Sequence, residues 1–368
     1  DDVAMRFLSG NQQPDHWTIS EFRRRHHVAL GELLTQTIIM AERVGLLKLN
    51  HVSVDGTKVK ANASKHSAMS YGRMKKEEER LRREIEQYLK EIEENDRNED
   101  KKYGNRRGNE LPEELSTREK RLKKIREIKA QLEAEAREKE EKRQAKRRAE
   151  AKKQGKEYTP RKEPKDVTPG DKDQRNFTDG DSRIMLSSDK AFIQAYNCQA
   201  TVDSETRIIV AATVSNQASD TNLLCEQVKQ VIKNTGRQPK ELSADAGYYS
   251  RENLEFLSMT RIEGFIPPDK IKHSQWREQK SPRGRIRKNA TEADLMRRKL
   301  RTKRGRERYK LRQTSIEPVF GFIKEQLGLR QFLLRGLEKV HSIWRFECAV
   351  YNLAKLVRVK AKLVPALS

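Results

Sequence analysis

Between Ser64 and Asn176 the chain is dominated by Lys, Arg and Glu, and this stretch divides the molecule. It holds too few apolar residues to build a compact core, so a packed domain has to come from the segments on either side. Inside it, Met74, Leu81, Ile85, Tyr88 and Ile92 recur at spacings of seven, four, three and four, and Leu122, Ile125, Leu132 and Ala136 continue a similar pattern. That is coiled-coil spacing and predicts two amphipathic helices. The polar segment "NDRNEDKKYGNRRGNELP" separates them, and "KKQGKEYTPRKEPKDVTPGDKDQRN", with three prolines and no apolar periodicity, follows. We therefore expect an antiparallel helical hairpin and then a flexible linker. Its charges read most simply as a solvated helix surface, with direct DNA contact as the alternative.

The flanking segments carry strand signals. "HVSVDGT" (51 to 57) is a β-branched run ending on Asp55 and Gly56, which predicts a strand and then a tight turn. "FIQAYNCQATV" (192 to 202) and "RIIVAATVS" (207 to 215) flank "DSET" as a hairpin, and Leu223, Leu224, Val228, Val231 and Ile232 place a helix over 219 to 234. "ELSADAGYYS" (241 to 250) runs a short strand into Asp245, followed by a helix near 251 to 258 and a strand at "IEGFIP". Dense apolar periodicity through Leu333, Leu334, Trp344, Val350, Leu353 and Leu356 predicts packing helices, with Trp344 and Phe346 in the core. With the insertion set aside, this order describes a mixed sheet flanked by helices, an α/β (α+β) fold. Upstream, a Thr18 to Glu21 capping-box pattern opens helical stretches that reach about Leu49. The chain begins "DDVAMRFLSG" without an initiator Met and reads as a frame entered partway, or a trimmed chain.

A formal net charge of +24 and a pI near 9.9 point to a polyanionic partner, nucleic acid first and an anionic membrane surface second. No apolar run of membrane-spanning length and no signal peptide is evident, which leads us to expect a cytoplasmic protein without membrane contact. Cys198, Cys225 and Cys348 lie far apart and form neither a zinc pattern nor a disulfide framework.

Three acids stand at the ends of core elements: Asp55, Asp245 and Glu317. Each has a structural explanation of its own, as a turn residue, a helix cap and a partner of Lys324. Together they can converge on one point, and hard divalent cations favour such oxygen ligands. Glu317 is the odd one, because it sits beside the apolar stripe of Ile316, Phe320, Ile323 and Leu327. Tyr309, Arg312 and Lys324 have the chemistry to hold phosphates; a snorkelling Arg, a Lys324–Glu317 ion pair and an anchoring Tyr are the structural alternatives. Residues 283 to 312 contain 14 Lys or Arg against 3 acids, Arg304, Arg306 and Arg308 among them, a run suited to tracking a DNA backbone. His273 and Trp276 lie in the same basic region.

"VDGTKVKANAS" (54 to 64), "DSRIM" (181 to 185), "YNCQATVD" (196 to 203), "SADAGYYS" (243 to 250) and "YKLRQTSIEPVFGFIKEQLG" (309 to 328) together resemble bacterial insertion-sequence transposases of the DDE class, in particular the 1182 branch. The resemblance runs from about residue 5 to residue 357. It implies a ribonuclease-H-like core with Asp55, Asp245 and Glu317 as a triad for two Mg2+ or Mn2+ ions. It also implies hydrolysis at transposon ends, strand transfer into target DNA, and a homo-oligomer working on terminal repeats. The expected division is an N-terminal helical segment (1–50), the first core strand (51–64), the insertion (65–176), the rest of the core (177–330) and packing helices (331–368). The family's C-terminal signature places Glu four residues after Arg, whereas Glu317 follows Arg312 by five. With Pro318 unable to donate to Thr314, we expect a local helix break at 313 to 317 that keeps Arg312 and Glu317 on one site. Two other readings fit the same composition: a decayed, DNA-binding derivative and a nuclease that never joins strands.

Overall fold

The computed structural model describes residues 7, 10–103, 113–160, 163–187, 189–270, 281–287 and 289–363, with 91–103, 113–116 and 360–363 by backbone alone. The chain forms two units, Asp1–Asn62 with Ile184–Ser368, and Ala63–Arg183.

The first unit is built on a mixed sheet. Helices α1 (His16–Arg25) and α2 (His27–Arg43) lead into strand β1 (His51–Lys60). Asp15 caps α1 by accepting from the Thr18 amide at 2.6 Å, so Thr18 lies inside the helix and the expected Thr18 cap is corrected to Asp15. Strand β1 also differs from its expectation, since it runs through Asp55 and Gly56 to Lys60 instead of turning. The reason lies across the sheet: Asp55 pairs with Ala200 and Gly56 with Gln199 on the antiparallel strand β5 (Phe192–Asp203). An Asp-Gly pair signals a turn only where no neighbouring strand claims its backbone groups.

Strand β5 pairs on its other side with β6 (Ile209–Ser215), antiparallel, with a register shift at Thr201/Val202. Beside that irregularity Asn352 bonds both backbone groups of Ile209, at 2.8 and 2.9 Å. On the far side of β1, strands β7 (Glu241–Ser243) and β8 (Glu263–Phe265) add in parallel. The order β6-β5-β1-β7-β8, with short β4 (Arg183–Leu186) also on the edge of β5, is a mixed α/β sheet compatible with a ribonuclease-H-like core.

Helices α5 (Leu224–Thr235) and α6 (Arg251–Met259) fill the crossovers between β6, β7 and β8. After β8 come α7 (Glu292–Arg301), α8 (Lys303–Glu325) and α9 (Leu337–Leu363). Helix α8 packs on β1, β5 and β7, and α9 on α2 and β6. Ile316, Val319 and Ile323 of α8 and Trp344 of α9 are buried, while Phe346 is half-buried. No helix among the described residues is long and apolar enough to cross a membrane.

The second unit holds the hairpin. Helices α3 (Tyr71–Tyr103) and α4 (Glu113–Lys153) pack through Met74, Leu81, Ile85, Leu122, Ile125, Ile128 and Leu132. Ion pairs Glu84–Arg118, Glu78–Arg126 and Tyr71's bond to Glu133 fix an antiparallel register. The segment after α4 is not all linker: β3 (Gln174–Asn176) pairs with β2 (Ala68–Ser70). Buried Arg175 and Asn176 explain this, because Arg175 reaches Glu135 and Asn176 donates to the Ser64 carbonyl at 2.7 Å. Polar residues thus order a stretch that apolar periodicity leaves blank.

Candidate active site

The sheet opens where β1 and β7 part. Their last paired residues are Ser53 and Ser243, and each chain then carries an Asp two positions on, Asp55 and Asp245. Side chains two apart in a strand share a face, so Asp55 lies on the Ser53 face, which α8 covers. Ser315 of α8 donates to Ser53 at 2.9 Å, and Arg312 reaches Asp55 at 2.6 Å. Asp245 caps a short 3-10 turn, its Oδ1 accepting from the Gly247 amide at 2.8 Å. A crevice beyond the carboxyl ends of parallel strands, where neighbouring connections diverge, is the usual place for a site in such a sheet.

Arg312 is the common partner. Besides Asp55 it stands 3.6 Å from Glu317, and Asp245 acts on it electrostatically. Burial works against its charge, and Asp55, Tyr309, Asp245 and Glu317 outweigh that to raise its pKa. Its Nε is buried without a hydrogen-bond partner. Asp55 is only 17% exposed, and burial raises its carboxyl to about 6 against the pull of Arg312, with Asp245 and Asp220 adding to the rise.

Glu317 is different, with a side chain 53% exposed. Its position beside the apolar stripe therefore carries no desolvation cost needing relief. Helix α8 is continuous across 313 to 317, so the expected break is corrected. The missing Pro318 donor falls on the exposed side of the helix, and the long Arg312 side chain spans the extra residue instead. Lys324 forms no ion pair with Glu317 among the described residues. Tyr309 lies under Arg312, whose guanidinium is 5.9 Å from its ring centre, and burial raises its hydroxyl pKa.

Arg304 and Arg308, one turn apart, bind Glu241 at 2.7 and 2.8 Å, and Arg304 also binds Glu263. These pairs clamp α8 to the starts of β7 and β8. Arg306 points elsewhere, to Ser281 at 3.1 Å. His273 and Trp276 lie outside the described residues.

One acid was not anticipated. Asp220, in the loop between β6 and α5, accepts on Oδ1 from Asn197 at 2.6 Å, Gln199 at 2.9 Å and Lys58 at 3.2 Å. The signal available was the pair of polar residues in "YNCQ", both fully buried in the sheet. Buried amides need partners, and their partner is Asp220.

Hard carboxylate oxygens such as those of Asp55, which Asp245 and Asp220 approach closely enough to act on electrostatically, are suitable donors for a divalent cation. Among the described residues, however, no three acidic, His or Cys side chains stand together closely enough to hold one, and Arg312 supplies the positive charge at Asp55.

Residues 273–357 match the family model described as "Transposase DDE domain". The match spans α7, α8 and most of α9, so it includes Tyr309, Arg312, Glu317 and Lys324 but not Asp55 or Asp245. It supports a DDE transposase. No curated protein and no solved structure matches the chain.

Proposed function

We propose that this chain is the transposase of an insertion sequence of the 1182 branch, cleaving DNA at the element's ends and joining them to target DNA. The observation that carries the reading is the gathering of Asp55, Asp245 and Glu317 around Arg312, inside a chain whose C-terminal part matches a transposase domain. Asp55, Asp245 and Glu317 stand too far apart here, with Arg312 on Asp55, to hold a divalent ion, and they would take Mg2+ or Mn2+ only once Arg312 moves off Asp55 and the three acids close up. Ions bound there would supply activation of the attacking oxygen and stabilisation of the leaving one.

The remaining roles belong to the chain's own groups. Arg312 presents a buried, unmatched Nε–H that a phosphate oxygen would satisfy; leaving such a donor unpaired costs about 1–3 kcal/mol. Tyr309 braces that guanidinium from below. Lys324 offers a cation not committed to Glu317, and the exposed parts of Arg304, Arg306 and Arg308 extend a basic path along α8. Terminal repeats, target DNA and a homo-oligomer are the partners this reading requires.

The test pairs the complete reading frame with a DNA fragment carrying the element's own ends and Mn2+. Asp245→Asn keeps the cap on Gly247 and removes the charge, so end cleavage should fall by at least about 100-fold while DNA affinity holds. Cleavage undiminished in the variant would sink the assignment. A second reading, a DNA-binding derivative that no longer cleaves, draws on the Arg312–Asp55 ion pair. Binding without cleavage by the wild type would favour it.

A further inference from the structure

We propose that Asp220 is a positioning residue for the carboxylate site, holding the Asp245 turn in place against β1 and β5. The consequence for activity rests on the transposase reading, whereas the positional role does not.

The loop at Asp220 works as a strap with two attachments. On the sheet side, Asp220 Oδ1 takes three donors, from Asn197 and Gln199 of β5 and Lys58 of β1. These positions face one way, since Gly56 pairs with Gln199 and Lys58 with Asn197. On the turn side, the next residue, Thr221, donates its hydroxyl to the Gly247 carbonyl at 3.0 Å. Asn253 then ties strap to turn, donating to both the Thr221 and Tyr248 carbonyls at 2.7 Å. Tyr248 closes the ring by donating its hydroxyl to Gln199 Oε1.

Both proposed catalytic Asp residues are tied to this ring. Gly247, whose carbonyl the strap holds, is the residue whose amide donates to the capping Asp245 Oδ1. A Cβ at Gly247 would lie 3.0 Å from Asp245 Oδ1 and 3.5 Å from Asp220 Oδ2, so the two carboxylates approach the same point of backbone. On the other side Gly56 follows Asp55, and a Cβ there would come within 2.2 Å of Gln199 Nε2 and 3.1 Å of Asp220 Oδ1. Only a residue without a side chain lets the network approach the Asp55 backbone so closely.

Most of the ring is buried, Asp220 itself being 23% exposed. Asn197, Gln199 and Tyr248 are fully buried and Asn253 nearly so. Removing the Asp220 carboxylate takes away an acceptor that the Gln199 and Asn197 amides share, and it leaves Lys58 without its ion pair. Those groups would then reorganise, and the strap with them. An Asn at 220 is another matter, because its carbonyl oxygen can take the same two amide donors while the charge is lost.

That difference gives the test. In the whole chain, Asp220→Ala and Asp220→Asn are compared with wild type by amide hydrogen exchange and by Mn2+ titration of DNA-end cleavage. The Gly247 and Tyr248 amides should exchange at least about tenfold faster in Asp220→Ala, with β1 and β5 still protected. Cleavage should fall about 10- to 100-fold in the same variant, the usual cost of losing a supporting partner. Asp220→Asn should stay within about threefold of wild type in both readouts. Thr221→Val, which removes one strap bond and leaves the buried amides alone, should reproduce the exchange effect if Asp220→Ala does not fold.

Unchanged exchange in Asp220→Ala and Thr221→Val would overturn the proposal. So would equal loss of cleavage in Asp220→Ala and Asp220→Asn, which would put the charge itself at the reacting centre. If wild type cleaves nothing at any Mn2+ concentration while the exchange difference holds, the strap stands and the transposase reading fails.

Discussion

His51 shares the Asp55 face of β1, is 1% exposed, and has both ring nitrogens engaged, Nδ1 with Glu241 at 3.1 Å and Nε2 with Ser243 at 3.0 Å. Burial lowers its pKa, Arg308 adds to the lowering, and the pull of Glu241 and Asp203 does not compensate. The folded state therefore favours a neutral ring, donating from Nδ1 and accepting the Ser243 hydroxyl. Because the folded pKa lies below the unfolded one, its stabilising contribution is complete above the unfolded value of about 6.5. The contribution is lost as pH falls from there towards the folded value. Urea unfolding at pH 7.5 and 5.5 should show a larger acid loss in wild type than in His51→Gln; equal losses would contradict the neutral assignment. At this scale the sequence was uneven as a guide. Asp55 and Asp245 stand out because each follows a β-branched or apolar run, whereas Asp220 sits in "SNQASD", a polar stretch with no period to single it out. Its importance comes from partners about 20 residues upstream, which no local pattern records.

Helix α8 carries the site's charged groups on one side and core residues on another, yet Pro318 interrupts its bonding pattern. Pro318 is exposed, and its helix is continuous around it. A proline inside a helix forfeits one backbone bond and crowds the preceding turn, at a cost of about 3 kcal/mol, partly offset by about 0.4–1 kcal/mol of reduced unfolded-state freedom. Pro318→Ala should therefore raise stability by about 2 kcal/mol, read as a higher denaturation midpoint at unchanged m. A drop would mean that the proline's fixed φ is needed to set the helix beside Glu317. Elements with a strong period were the legible ones. The Met74–Leu81–Ile85 and Leu122–Ile125–Leu132 stripes locate both hairpin helices because each stripe buries against the other. The extension of β1 and the β2–β3 pair were not legible. Their stability comes from cross-strand partners and from the buried polar residues Arg175 and Asn176, so the information lies in the contact and not in the segment.

On the scale of the whole molecule, the insertion interrupts a sheet whose strands come from both sides of it, β1 before and β5 to β8 after. Such an interruption is tolerable only if the inserted chain leaves and returns at nearly the same place, because loop closure costs grow slowly with length but steeply with misplacement of the ends. The base of the insertion meets this condition within its own unit. Ala68 pairs with Asn176, Asn176 donates to the Ser64 carbonyl, and the Phe177 amide donates to Ser67. The hairpin also has a buried core of its own, from Tyr71 to Leu132. The two units should therefore be separable. Replacing residues 67–176 by a short Gly/Ser connection should leave a protein that unfolds cooperatively, with hydrogen exchange at β1, β5 and β7 close to that of the full chain. Residues 63–183 expressed alone should be helical and melt independently. If the shortened chain fails to fold, the sheet depends on the insertion for more than connection. If it folds and, on the transposase reading, still cleaves DNA ends without joining them, the hairpin contributes to the joining step and not to the sheet.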